Sequence, residues 1–247
     1  MRALLRLAAL TTLVAGAAVS QSFPLASTDS LEALNASLEA VTFEGRKGVK
    51  MTIDPAVAAR LERTRAGAKR ATKKAGPGAG EANRVEVLAF LEGVEFSSGT
   101  IELELAGQPS DAAGGGARGF AGLAFRVQQD PRVYDAFYLR PTNGRADDQE
   151  RRNHSVQYIA HPDYPWYRLR QETPSKYEAY ADISPAEWIA VKIEIDGAKA
   201  RLFVNGATQP TLLVNDLKSG AEGKGRVALW IEGSTVAHFR NVRITPR

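Results

Sequence analysis

A period-two alternation of apolar and polar residues, repeated in segment after segment, constrains this chain more than any other feature. Ile101, Leu103 and Leu105 alternate with Thr100, Glu102 and Glu104. Leu123, Phe125 and Val127 alternate with Gly122, Ala124 and Arg126. The same rhythm returns at Ile189–Ile195, at Leu202–Val204 and at Val227–Ile231. Successive side chains of a strand point to opposite faces, so this period means strands with one buried face. The separators are turn chemistry: Asp196-Gly197, Asn205-Gly206, Gly223-Lys224-Gly225 and Gly233-Ser234. No strand–helix alternation accompanies them, so a parallel α/β sheet is not expected. An all-β fold of two antiparallel sheets packed face to face is predicted.

The N-terminus reads differently. Arg2 and Arg6 precede an apolar, small-residue run from Leu7 to Val19, and Ala18-Val19-Ser20 offers a cleavage site before Gln21. This is the layout of a secretory signal peptide over residues 1–20, too short for a membrane span. The chain has no cysteine, which excludes disulfides, thiolate chemistry and a lipid-bearing cysteine. A periplasmic or extracellular location follows as the expectation. The net charge of +4 falls to +2 without the leader, and the basic excess is local to residues 54–84. Nucleic acid is therefore not an expected partner.

Residues 21–247 read as one domain. Val41, Phe43, Val49, Met51 and Ile53 mark two strands within 38–53, with a turn at Gly45. Asp54-Pro55 has the form of an N-cap followed by proline at the first helical position, predicting a helix to about Lys73. Gly76-Pro77-Gly78-Ala79-Gly80 ends it as a linker, so 54–84 is one short helical insertion. Residues 106–119 form a Gly/Ala-rich connection without the Lys-Ser/Thr ending of a phosphate loop.

The chemistry concentrates in the centre. All seven tyrosines lie between Tyr134 and Tyr180, with Trp166, His154, His161 and seven arginines from Arg132 to Arg170. Aromatic faces stack on the C–H face of a pyranose, while Arg, Asn, Gln and His bond its hydroxyls. Alternation puts Arg126, Tyr138, Arg140 and Trp230 opposite the apolar runs of their own strands. That face, together with Glu102 and Glu104, is predicted to be concave and ligand-bearing. Asn153, His154, Gln157, Tyr158, Trp166 and Arg168 of the central stretch, and Glu232 beside Trp230, complete the candidate saccharide-binding set.

The segments Gly119–Arg126, Tyr138-Leu139-Arg140-Pro141 and Arg152–Tyr158 resemble the concanavalin A-like, laminin-G-like jelly-roll proteins, and in particular the 3-keto-disaccharide hydrolase-like branch. The strands Trp188–Ile193, Ala200–Asn205 and Phe239–Ile244 fit the same pattern, so the resemblance spans roughly 85–244. It implies a jelly-roll sandwich that binds saccharide and cleaves glycosides of the keto-disaccharide type. This fold also hosts non-catalytic adhesion and interaction modules of the cell envelope, which stays open as the alternative. Laminarinase-type glucanases of the fold carry three acids on one strand; Glu102 and Glu104 supply two, and are the candidate catalytic pair. No metal-ligand spacing is present. Calcium on loop carboxylates such as Asp147 and Asp148 is compatible with a jelly roll, but nothing in the sequence demands it, and no cofactor is expected. The sequence leaves the oligomeric state open.

Overall fold

The computed structural model describes residues 19–69, 84–111, 113 and 117–247. The leader, except its last two residues, and the 76–80 linker lie outside the described residues, as do the glycines at 114–116. The first elements are β1 (Gln21–Phe23), β2 (Leu31–Leu34), β3 (Ala36–Phe43), β4 (Arg46–Ile53), α1 (Pro55–Lys69) and β5 (Val87–Leu91). Then come β6 (Gly99–Pro109), β7 (Ala121–Val127), β8 (Tyr134–Leu139), α2 (Pro141–Gly144), α3 (Gln149–Asn153) and β9 (Val156–His161). The chain continues with α4 (Trp166–Glu172), β10 (Glu178–Ala179), β11 (Ile189–Asp196), β12 (Lys199–Val204) and β13 (Leu212–Val214). It ends on β14 (Arg226–Ile231) and β15 (Thr235–Pro246).

The strands form two antiparallel sheets. One runs β13-β12-β11-β6-β15-β4-β3, with β1 also paired to β15, and the other runs β10-β9-β8-β7-β14-β5-β2. The predicted sandwich is therefore present, with the 38–53 pair as β3 and β4. Asp54 caps α1 as expected, its carboxylate accepting from the backbone of Ala56 and Val57 at 2.9 and 3.1 Å. Three short helices, α2 to α4, were not foreseen. Each falls inside the central aromatic stretch, where hydrophobic period is masked by polar and aromatic residues.

The two sheets differ in how they meet water. In β11 of the eight-stranded sheet, Ile189, Val191, Ile193 and Ile195 are buried and the residues between them are not. That is the one-sided pattern the alternation predicts. In β7, β8 and β9 every residue is buried. The seven-stranded sheet thus has its outer face covered as well as its inner one. Phe120, whose ring is 5.3 Å from that of Tyr138, is part of this cover.

Candidate functional site

Register builds the site. Glu178 pairs with Gln157, Gln157 with Tyr138, Tyr138 with Gly122 and Gly122 with Trp230. These five residues therefore form one row across the outer face of the seven-stranded sheet, since directly paired residues share a face. Gly122 carries no side chain, so the rings of Tyr138 and Trp230 on either side meet at 4.9 Å. A Cβ at Gly122 would lie 2.6 Å from Tyr138 Cα and would also collide with the Phe137 carbonyl.

At one end of β8 stands Arg140, only 5% exposed. Its Nη2 donates to the Tyr138 hydroxyl at 2.8 Å and to Gln157 Oε1 at 3.1 Å, and its Nη1 to the His154 carbonyl at 3.4 Å. All three acceptors are neutral. Its Nε is buried without a partner, and among the described residues no carboxylate pairs with it. Three rings surround the guanidinium instead: Phe120 at 5.1 Å, Tyr138 at 5.3 Å and Trp166 at 5.7 Å. Cation–π attraction offsets part of the desolvation of such a charge, but an unpaired buried cation remains costly.

Beside it, Glu178 is held by Arg170 in a two-pronged pair, Nε to Oε1 at 3.0 Å and Nη2 to Oε2 at 2.7 Å. Arg170 also lies 4.8 Å over the Trp166 ring. His154 Nδ1 lies 2.8 Å from Glu178 Oε2, without the alignment of a hydrogen bond. Burial lowers the His154 pKa below its ordinary value; Glu178 opposes this, while Arg170 and Arg140 add to it. The imidazole is therefore a neutral base at physiological pH. Trp166, partly exposed, and the half-buried Arg170 border the cluster.

The other end of the row is structural. Trp230 is 7% exposed, and its Nε1 donates to the Tyr134 hydroxyl at 2.9 Å. That hydroxyl in turn donates to the buried Glu86 carboxylate and accepts from Arg84 at 3.0 Å. Tyr138 is 2% exposed. Neither ring offers a sugar an open face, contrary to the expectation of a bare concave sheet: both are buried, and Phe120 packs on Tyr138 at 5.3 Å.

The remaining candidates scatter. Arg126 does not share the Tyr138 face. It sits at φ +55°, beside a register shift between β7 and β14, which breaks the alternation used to place it. Its guanidinium donates five hydrogen bonds at 2.7–3.0 Å, to Ser97, Gly197, Gly220 and Ser219, and so ties loops together. Tyr158 faces the other sheet and donates to the buried Asp135. Asn153 is an exposed residue accepting from Gln149 at 2.7 Å, and Arg168 pairs with Glu172 at 2.7 Å. Glu232 accepts from the Ser234 backbone in the β14–β15 turn at 2.9 Å.

Glu102 and Glu104 are on β6 of the eight-stranded sheet, away from the Arg140 cluster. Glu104 is engaged by Arg46 at 2.8 Å and by Asn241 at 2.8 Å. Among the described residues no group of three or more His, Cys, Asp or Glu side chains could hold a metal, and no helix is long and apolar enough to cross a membrane. Glu178 and Arg170 are the members of the Arg140 cluster that the alternation missed. Glu178 lies in a two-residue strand, too short to show a period; its cue was Tyr177-Glu178-Ala179 following the arginine-rich helix.

Known structures share the fold at low identity. The carbohydrate binding module CBM66 from Bacillus subtilis matches at TM-score 0.51 and 14% identity, over 87% of this chain and 96% of that one. A Bacillus subtilis protein of unknown function with a galectin-like fold matches at 0.53 and 12%, over 94% and 98%. The cellulose induced protein Cip1 matches at 0.52 and 9%, over 92% and 97%. A search of curated proteins finds no match. The family model of the 3-keto-alpha-glucoside-1,2-lyase-like domain matches residues 88–245, a span that holds both sheets' central strands and the whole Arg140 cluster, and the chain belongs to that family.

Proposed function

We propose that the Arg140 end of the seven-stranded sheet binds a saccharide and cleaves 3-keto glycosides by elimination. One observation carries this reading: Arg140 is a buried cation with neutral partners and a ring cage, set beside a neutral imidazole. In a 3-keto glycoside the C2 proton is acidified by the adjacent ketone. His154 takes that proton, and the C–H electron pair becomes an enolate whose negative oxygen falls to Arg140. The enolate re-forms the ketone, a C1–C2 double bond appears, and the C1–oxygen bond breaks with its electron pair on the leaving sugar. That alkoxide regains the proton from His154. Preorganised positive charge aimed at a developing oxyanion is commonly the largest catalytic contribution, and Glu178 holds the imidazolium that forms in the first step. Trp166 supplies an apolar ring surface for the sugar. The leader-like N-terminus supports action outside the cytoplasm.

The test is incubation of the purified chain with 3-keto-trehalose and 3-keto-sucrose, followed by product analysis. An unsaturated keto sugar plus free hexose, lost in His154→Ala, is the expected result. Saturable binding without turnover would leave a saccharide-binding module and overturn the elimination.

A further inference from the structure

Two further arginines adjoin Arg140, and the elimination does not use them. Arg151 lies on α3, and Arg118 lies in the loop that leads into β7. Arg151 Nη2 donates to the Thr142 carbonyl at 3.2 Å and to Asn143 Oδ1 at 3.5 Å. Asn143 Nδ2 donates in turn to the His154 carbonyl at 3.2 Å, the same oxygen that accepts from Arg140 Nη1. The Thr142 hydroxyl donates to the Arg118 carbonyl at 3.3 Å, and Phe120, two residues on, lies 5.1 Å from the Arg140 guanidinium. Three arginines thus gather around α2 and the His154 carbonyl.

Their charges are not balanced from within. Among the described residues Arg140 and Arg151 form no ion pair, and their side chains bond only to carbonyl, amide and hydroxyl oxygens. The carboxylates nearby are engaged elsewhere: Glu178 by Arg170, Asp182 by Arg145 and Asp148 by the backbone of α3. Burial, then the charges of Arg151 and Arg140, lower the Arg118 pKa. Like charges held together in this way are costly unless an anion joins them.

The cluster is also reachable. Arg140 is sealed, but Arg118 and Arg151 are each partly exposed. Arg151 Nε is buried without a partner, whereas its Nη1 bonds to nothing and meets solvent. A guanidinium offers paired N–H donors that match the oxygens of a carboxylate or phosphate. A neutral hydroxyl would accept the bond and leave the charge uncompensated.

We propose that the saccharide taken by the Arg140 cluster carries an anionic group, a carboxylate or a phosphate, and that Arg151 and Arg118 bind it. That the anion is part of a sugar rests on the saccharide reading of the Arg140 cluster; the demand for an anion rests on the arginines alone.

The full chain, labelled with ¹⁵N-histidine, is titrated with glucuronate, glucose 1-phosphate, glucose and inorganic sulfate, each up to about 50 mM, well above a millimolar Kd. His154 is the reporter, since its carbonyl accepts from both Arg140 and Asn143, and His238 on the other sheet is the reference. At least one anionic sugar should shift His154 saturably and about tenfold more tightly than glucose or sulfate. Which of the two does so tells a carboxylate from a phosphate. Arg151→Gln should bring that Kd to within about twofold of the glucose value. Where Arg151→Gln does not fold, Arg118→Gln should show the same loss. Anionic sugars that bind no better than glucose, or that bind unchanged in both variants, overturn the inference and leave the saccharide reading standing. Sulfate binding as tightly as the anionic sugars also overturns it, since the arginines would then hold any anion. If neither glucose nor an anionic sugar moves His154, the inference is lost, and turnover of 3-keto-trehalose by the same preparation decides whether the elimination survives.

Discussion

Glu178 Oε2 stands 2.8 Å from His154 Nδ1, across 24 positions of sequence and from a strand of two residues. The same oxygen is 2.7 Å from Arg170 Nη2. One buried carboxylate therefore sets the electrostatics of the imidazole and anchors the arginine that covers Trp166. Glu178→Gln keeps the shape and removes the charge. The His154 pKa should fall further, because the interaction that raises it is gone while Arg170 and Arg140 remain. Arg170 loses its ionic partner, so stability should drop by roughly 1–3 kcal/mol. A ¹⁵N-histidine pH titration and urea melts read both changes; an unchanged or raised His154 midpoint would contradict the pairing.

Both faces of β14 are core. Leu229 points into the sandwich, and Trp230 is buried beneath its cover, with Nε1 bonded to Tyr134. Leu229→Ala should cost about 2–5 kcal/mol and Trp230→Ala about 3–5 kcal/mol. Denaturant melts that show Trp230→Ala to be mild would mean the outer face is open.

Gly122 allows Tyr138 and Trp230 to touch. Gly122→Ala places a methyl against Tyr138 Cα and the Phe137 carbonyl, so β7 and β8 must separate locally. A loss of about 1–3 kcal/mol, typical of overpacking, is expected in urea melts, with the Trp230 fluorescence environment altered. A neutral effect would show that the row is looser than the register implies.

Much of this was legible beforehand, and the failures have physical causes. Period two located the strands of the eight-stranded sheet because its outer face meets water, so polar residues mark that side. The same logic weakened in β7, β8 and β9, where both faces are buried and the outer residues had to be apolar, aromatic or fully bonded. Tyr138 and Trp230 share one face, as the alternation has it, but both are buried there, with Phe120 packed on Tyr138, and no local pattern announces that. Arg126 was misplaced because its positive φ and the adjacent register shift reset the alternation. Glu102 and Glu104 stand on the wrong sheet for the cluster, since strand order is not written in local sequence. Glu178 went unnoticed because a two-residue strand has no period.

Acid sensitivity should come partly from two histidines. His161 has its pKa lowered from 6.5 to about 3, mainly by burial and then by Arg84. His238, stacked on Phe43 at 3.8 Å, is lowered to about 4 by burial and then by Lys50. In the unfolded chain both take up a proton as pH falls through 6.5; in the folded protein they resist. Their contribution is thus present above pH 6.5 and lost progressively as pH falls toward 4. Each adds a slope of up to about 1.4 kcal/mol per pH unit within that window. His238→Phe should flatten stability against pH between 6.5 and 4 by about that amount, and an unchanged slope would contradict the assignment.

The measurement closest to the central claim is Arg140→Met, followed in parallel by stability and by saccharide affinity. A buried cation whose hydrogen bonds all go to neutral groups adds little to folding, and a flexible apolar side chain of similar length fits among Phe120, Tyr138 and Trp166. The melting free energy should stay within about 1 kcal/mol of the parent or rise, while binding of a 3-keto disaccharide weakens by about 1.5–3 kcal/mol, the size of a lost charged hydrogen bond. If the variant instead unfolds while binding per folded molecule is unchanged, Arg140 is a structural cation and the site lies elsewhere.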